Sequence, residues 1–292
     1  LWVRGKGGSC YAGSLHEDRL AKSLPALYAP DFTEVRLAPG RMAKAAAWSD
    51  LRGKERPGKP WLNGLPRLVF VGDMGDMFSA DVPFKYLARE IIETAESAKG
   101  RRHIWMLLTK QAKRAYDFAV WLHERGVKWP ENVWQGVSVT GEKTKRRAEI
   151  ASCHPAPVKF LSVEPMLGLV GFSRSLLLNF QLVIVGGESS QGGHQPRPFN
   201  LSGLRAILRD CREAGVSAFV KQLGQHVVSR NDEVADWFGE CGHLQLAPTE
   251  RFQGATGRVH GFRDGHGGDW NEWPADLRVR EFPNVTEAAH AR

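Results

Sequence analysis

Cysteine is scarce and scattered in this chain of 292 residues: Cys10, Cys153, Cys211 and Cys241 lie far apart, with no CxxC pair. That excludes the disulfide framework of a small secreted domain. No apolar run approaches 18 residues, so no membrane-spanning helix is expected, and no cleavable signal peptide is visible. The chain starts at Leu1 rather than Met, so its true N-terminus is expected to lie upstream. The ten histidines show no HxH or HExxH spacing, which argues against a histidine metal site. GxSxG, Walker A and post-strand GxGxxG motifs are also missing. Their absence argues against ordinary α/β hydrolases, P-loop enzymes and dinucleotide-binding dehydrogenases. The expected setting is a reducing cytoplasm, with no membrane contact.

What the chain does have is a repeated pattern. Leu68–Val71 stops at Gly72-Asp73-Met74-Gly75-Asp76, and Ile104–Leu108 stops at Thr109-Lys110. Val133–Val139 carries Gln135 and Ser138, and Val158–Val163 ends at Glu164-Pro165. Leu182–Val185 leads into Gly186-Gly187-Glu188-Ser189, and Ala218–Val220 into Lys221-Gln222. Helical spacing follows most of these runs: apolar positions recur across 81–99 and 111–125, a charged helix is expected at 142–151, and another at 201–214. Asp81 is a candidate N-cap with Pro83 in the first turn, and Gly126 and Gly215 are stop signals. Doubly buried strands alternating with helices predict a parallel sheet. The fold class is α/β, a partial TIM-like (β/α) barrel of about six strands, with the ligand at the C-terminal strand ends.

Residues 1–224 make up the expected barrel, including an irregular proline-rich stretch at 25–66 with a short helix near Met42–Trp48. Residues 225–292, rich in Gly, His, Trp and Arg, read as an irregular extension packing on the barrel. Cys211 falls on the apolar face of the 201–214 helix, where packing is its default role. A net charge of +8 and a pI near 9.5 favour an anionic partner, nucleic acid or nucleotide first.

The candidate chemistry sits at the strand ends. Gly186 and Gly187 allow close backbone approach by a ligand, and Glu188 can accept bonds from an amine or hydroxyl. Asp73 and Asp76 flank Gly75 and follow Gly72. They suit a metal, ribose hydroxyls or an ammonium group, while Asp76 equally suits a turn cap. Glu164, emerging from a buried strand, needs a partner, which either Lys110 or Lys221 can supply. Both lysines also suit an anionic ligand group.

Taken in order, these strand ends and Ser9-Cys10-Tyr11-Ala12 resemble a phage- and prophage-associated family with an N-terminal three-cysteine motif. The matching stretches include Val69–Phe78 with Asp81-Val82-Pro83, Leu107–Lys110, Asn132–Val139, Phe160–Gly168, Val183–Ser189, Phe219–Gly224, and Gly267-Gly268-Asp269 through Trp273–Arg278. Together they cover nearly the whole chain. The family looks like a divergent branch of the radical S-adenosylmethionine enzymes. The resemblance implies a [4Fe–4S] cluster on three cysteines, with Cys10 as a metal ligand. It also implies S-adenosylmethionine at Gly72, Asp73, Asp76, Ser138, Gly186, Gly187 and Glu188, and Glu164, Lys110 and Lys221 as catalytic groups. An electron donor, a nucleotide or DNA-base substrate and a phage-infected bacterial cytoplasm follow from the same resemblance. One position departs from the pattern: three residues before Cys10, where the family places a cysteine, stands Gly7, and no cysteine precedes it. An altered or incomplete start and loss of the cluster both account for this. Two other readings stay open: a non-radical hydrolase using Asp73, Asp76, Glu164, Glu188 and Lys221, and a degenerate barrel that binds nucleic acid.

Overall fold

All six apolar runs form strands, and helices cover one face of the sheet that they build. The computed structural model describes residues 11–189, 195–234, 237–238 and 241–283. The strands β1 (Arg67–Val71), β2 (His103–Thr109), β3 (Val133–Ser138), β4 (Lys159–Val163) and β5 (Leu182–Gly186) pair in chain order. A two-residue strand, β6 (Phe199–Asn200), belongs to a second sheet, and β7 (Ser217–Gln222) completes the first sheet beside β5. Every pairing in this sheet is parallel. The sheet curls into a half-barrel, as the strand–helix alternation predicts.

Side-chain alternation sorts the strand residues onto two faces. On the outer face, Val69, Trp105 and Leu107 pack against Leu87 and Ile91 of the helical segment 84–96 and Phe118 and Leu122 of helix Ala112–His123. Leu161, Val183 and Val185 pack against Leu204, Ile207 and Leu208 of helix Leu201–Ala214. Each such fully buried side chain contributes about 2 kcal/mol of transfer free energy. The concave face is filled at its base by Ile104, Met106, Trp134, Phe160 and Leu182, with Phe282 packed below.

Local signals explain most boundaries. Asn200 caps helix Leu201–Ala214, its side-chain oxygen accepting from the Ser202 N–H at 2.9 Å, and Gly215 ends it at φ 70°. Cys211 is buried on that helix, and burial pushes its thiol up to about 12. The expected cap at Asp81 does not form: the helix starts at Phe84 after an extended Pro83 and has no side-chain cap. In the proline-rich stretch, helix Arg41–Ala46 packs Met42, Ala45 and Ala46 into the core around segment 84–96.

The C-terminal region carries more regular structure than its composition predicts. Strands β8 (Val227–Ser229), β9 (Gln245–Phe252) and β10 (Ala255–His260) join β6 in a four-stranded sheet of order β6–β8–β10–β9. One hydrophobic cluster runs from Leu161 and Val185 of the barrel through Val227, Trp237, Val259 and Trp273, so the region is packed onto the barrel. The free edge of β7 is covered by residues 279–281: Val220 N–H donates to Val279 O and Glu281 N–H to Ala218 O, both at 2.8 Å. The Arg280 guanidinium lies over Trp61 at 4.3 Å and within 5.2 Å of Trp270 and Trp273. Among the described residues, no helix is long and apolar enough to cross a membrane.

Candidate functional site at the strand ends

Parallel strands bring their C-terminal ends to one rim of the half-barrel, so the polar clusters that end the apolar runs lie along one edge. Ser138 and Ser162 are register partners on β3 and β4. Two residues on from Ser162, Glu164 points to the same concave side.

The centre of this rim is built on a glycine. A Cβ on Gly186 would stand 2.6 Å from Glu164 Oε1, so the missing side chain is what lets that carboxylate lie across β5. Beyond β5 it meets Lys221 of β7, whose Nζ is 3.2 Å from Glu164 Oε1. The Ser162 hydroxyl is 3.5 Å from Glu164 Oε2. The glutamate side chain is 19% exposed and the lysine 58%. The carboxylate is therefore held by the wall while the ammonium stays accessible. Of the two lysines that the sequence offers as partners for Glu164, Lys221 takes the role. Lys110 is exposed on the opposite side of the rim, at the end of β2.

Gly187 serves a second close approach. A Cβ there would be 2.0 Å from Leu223 O, so the loops after β5 and β7 touch backbone to backbone. Two hydrogen bonds lock them: Gly187 N–H donates to Gln222 O, and Gln222 Nε2 donates to Gly187 O, both at 2.9 Å.

Two other carboxylates are already committed. Asp76 Oδ1 accepts from the Thr109 hydroxyl at 2.6 Å and from the Phe78 N–H at 3.1 Å, and Oδ2 accepts from the Lys110 N–H at 2.8 Å. It latches the loop after β1 to the end of β2. Asp76→Asn would turn an amide N–H toward one of these donors and should lower the unfolding free energy by about 1–3 kcal/mol, measured by urea denaturation. If Asp76 serves a ligand alone, stability will not change. Glu188 is gripped by Arg197, with Nε at 2.9 Å from Oε2 and Nη2 at 2.6 Å from Oε1, and the Arg197 N–H adds a third bond at 3.0 Å. The bond to Glu188 raises the guanidinium pKa further above its ordinary value. This fork-like pairing ties the residue just past the end of β5 to the one that leads into β6.

Thus Gly72 and Asp73 lie exposed after β1, with Gly72 at φ 81°, and Asp73 makes no side-chain hydrogen bond among the described residues. Ser138, Glu164, Gly186, Gly187 and Lys221 gather on the β3–β7 side, while Asp76 and Glu188 are structural fasteners. Thr109, Ser162, Arg197 and Gln222 complete the site; Thr109 and Gln222 stand in the strand-end clusters of the sequence, while nothing there marks Ser162 or Arg197 as contacts of a carboxylate.

Among the described residues, the three cysteines lie apart and do not gather as ligands of one cluster. Cys10 lies outside the described residues, and position 7 is glycine. Cys153 is exposed next to Ser152, at the end of helix Arg146–Ser152, Cys211 is buried in the outer helical layer, and Cys241 is buried beside Trp237 in the C-terminal region. Among the described residues, no group of three or more His, Cys, Asp or Glu side chains is arranged to hold a metal. No curated protein and no solved structure matches the chain. A family model described as a protein of unknown function (DUF5131) matches residues 5–274, and the chain belongs to that family.

Proposed function

We propose that the protein is a radical S-adenosylmethionine-like barrel enzyme whose rim binds S-adenosylmethionine and which acts on a nucleotide or DNA base. The observation that carries this reading is the Glu164–Lys221 pair laid across Gly186. An amino acid moiety carries one ammonium and one carboxylate. Glu164 can receive the first and the exposed Lys221 the second, exchanging one internal ion pair for two with the ligand. The Gly186–Gly187 backbone leaves space beside them for the rest of the molecule.

The sulfonium of such a ligand supplies a carbon–sulfur bond activated for cleavage. Cys153, Cys211 and Cys241 lie away from this rim and take no part in that chemistry. What this chain's own groups do is orient the amino acid end and exclude water from the apolar base of the concavity. We place the protein in the cytoplasm of a phage-bearing bacterium, where widely spaced thiols stay reduced. The net charge of +8 favours a polyanionic substrate.

The test is isothermal titration of the purified protein with S-adenosylmethionine, repeated with Glu164→Gln. Saturable binding that weakens at least about tenfold in the variant, near 1.4 kcal/mol, supports the proposal. No binding to the wild type, or equal affinity in the variant, overturns it.

A further inference from the structure

A second concavity lies beyond the rim, between the C-terminal sheet and the loops that follow β5 and β7. Its volume is ≈ 410 Å³, within the range of small-molecule sites. Gln195 and Gly224 form one wall and Arg258 and His260 of β10 the other.

Arg258 and His260 are two residues apart on one strand and share a face. Strand β8 pairs antiparallel with β10 in the register Arg258↔Val228. Extended by two residues, this register brings His226 opposite His260. Burial keeps the His226 pKa below its ordinary value against the pull of its bond to Pro196 O, and the charges of Arg258 and His260 add to the lowering. Arg258 and His260 therefore line the concavity together, and His226, whose Nδ1 lies 3.0 Å from Pro196 O, stands behind that wall.

The hydrogen bonding of Arg258 is incomplete. Arg258 Nη2 donates to Gln225 O at 3.2 Å, but its Nε is buried with no partner among the described residues. No carboxylate forms an ion pair with this guanidinium among the described residues. A buried guanidinium N–H left unpaired is costly, and an anion's oxygen is the partner that would relieve it. Asp264 is the one carboxylate in the lining, and it is turned into its own loop, accepting from the N–H groups of His266 at 3.0 Å and Gly268 at 2.7 Å. Glu272 steadies that loop by accepting from the Arg263 and Asp264 N–H groups at 2.9 and 3.1 Å and bonding the His243 ring at 2.8 Å. The cavity wall is thus fixed before any ligand arrives.

We infer that this concavity is an anion site that takes a phosphate monoester, with Arg258 gripping the phosphate, His260 flanking it and His226 in the layer behind. A concave site with its arginine half-buried suits a terminal phosphate that enters end-on, rather than a strand passing over the surface. Loops after the last strands of (β/α) barrels commonly bind phosphate groups, and the loop after β7 forms part of this wall. The site stands independently of what the rim of the half-barrel binds.

The full-length protein would be titrated with inorganic phosphate, adenosine 5′-monophosphate, adenosine and an unphosphorylated oligothymidylate. Binding would be followed by calorimetry and by the imidazole resonances. The monophosphate should bind at least about tenfold more tightly than adenosine, and phosphate alone should shift the His226 and His260 signals. Arg258→Met should reduce monophosphate affinity at least about tenfold, and His260→Gln, at an exposed position that folding tolerates, several-fold. Equal binding of adenosine and its monophosphate, or wild-type affinity in both variants, overturns the assignment. If Arg258→Met fails to fold, His260→Gln decides. An oligothymidylate bound more tightly than the monophosphate overturns the monoester assignment.

Discussion

Acidification from pH 6.5 towards pH 3 should cost the protein several kcal/mol of stability through a single imidazole, that of His154. The ring is buried against Trp129, with centroids 4.5 Å apart. Its Nδ1 accepts the Ala156 N–H at 3.1 Å, which only an unprotonated nitrogen can do. Burial, followed by the nearby Lys159 ammonium, pushes its pKa from 6.5 down to about 3. Above pH 6.5 the ring is neutral in both folded and unfolded chains, so the full stability is present. Below that value the unfolded chain takes up a proton that the folded one refuses. Stability then falls by about 1.4 kcal/mol per pH unit until the folded pKa is reached, at most about 5 kcal/mol in all. Urea unfolding at pH 7 and pH 4.5 should therefore show a steeper loss for the wild type than for His154→Leu, by about 2–3 kcal/mol. In the folded protein, the His154 resonance should stay at its neutral position down to pH 4. A resonance that titrates near 6.5, or parallel pH slopes, would rule the effect out.

Gly187→Ala should be among the most damaging single methyls in the barrel. The added carbon would sit 2.0 Å from the Leu223 carbonyl oxygen and 3.0 Å from the Phe199 ring. The obstacle is backbone, and that backbone cannot easily retreat because Leu223 N–H is bonded to Gly267 O at 2.9 Å. Relief requires separating the ends of β5 and β7, which breaks the reciprocal Gly187–Gln222 bonds. A loss of about 3 kcal/mol or more is expected, a drop of roughly 6–10 °C in melting temperature. Gly58→Ala is the control, since nothing lies within 4 Å of its added carbon, and it should melt like the wild type. The same Gly187 variant should lose rim binding, because Gly186 and Glu164 move with the end of β5.

The barrel was legible in the sequence because its strands are buried on both faces, so their apolar runs are continuous and end abruptly where the rim begins. The C-terminal sheet was not. Strand β10 reads Ala-Thr-Gly-Arg-Val-His, with alternate residues facing solvent, and β9 contains Pro248 and Glu250. A signal did exist: Gln253 and Gly254 both take positive φ, 52° and 87°, in a two-residue hairpin turn. Glutamine seldom occupies such a turn, and the pair therefore lacks the usual Asn-Gly mark. At the rim, residue types and strand ends located Glu164, Lys221 and the two glycines. Roles were harder to read. Asp73 and Asp76 look alike in sequence, and only the position of Thr109 across the sheet turns Asp76 into a latch. Arg197, nine residues past Glu188, carries no local sign that it will claim that carboxylate. A pairing made across a loop leaves no periodicity behind.

The short strap along β7 also bears on how the chain comes off the ribosome. All six barrel strands have been synthesised once Gln222 has emerged, yet the outer edge of β7 has no partner until residue 281 follows. For that interval the nascent sheet presents a row of unpaired amide and carbonyl groups, the kind of edge that recruits other chains. Trp61, made long before, waits for the Arg280 side chain to settle on it. The order of synthesis thus makes the last strap the step that closes the β7 edge, so a stall or nick before it leaves a half-barrel that has every strand and still exposes that edge.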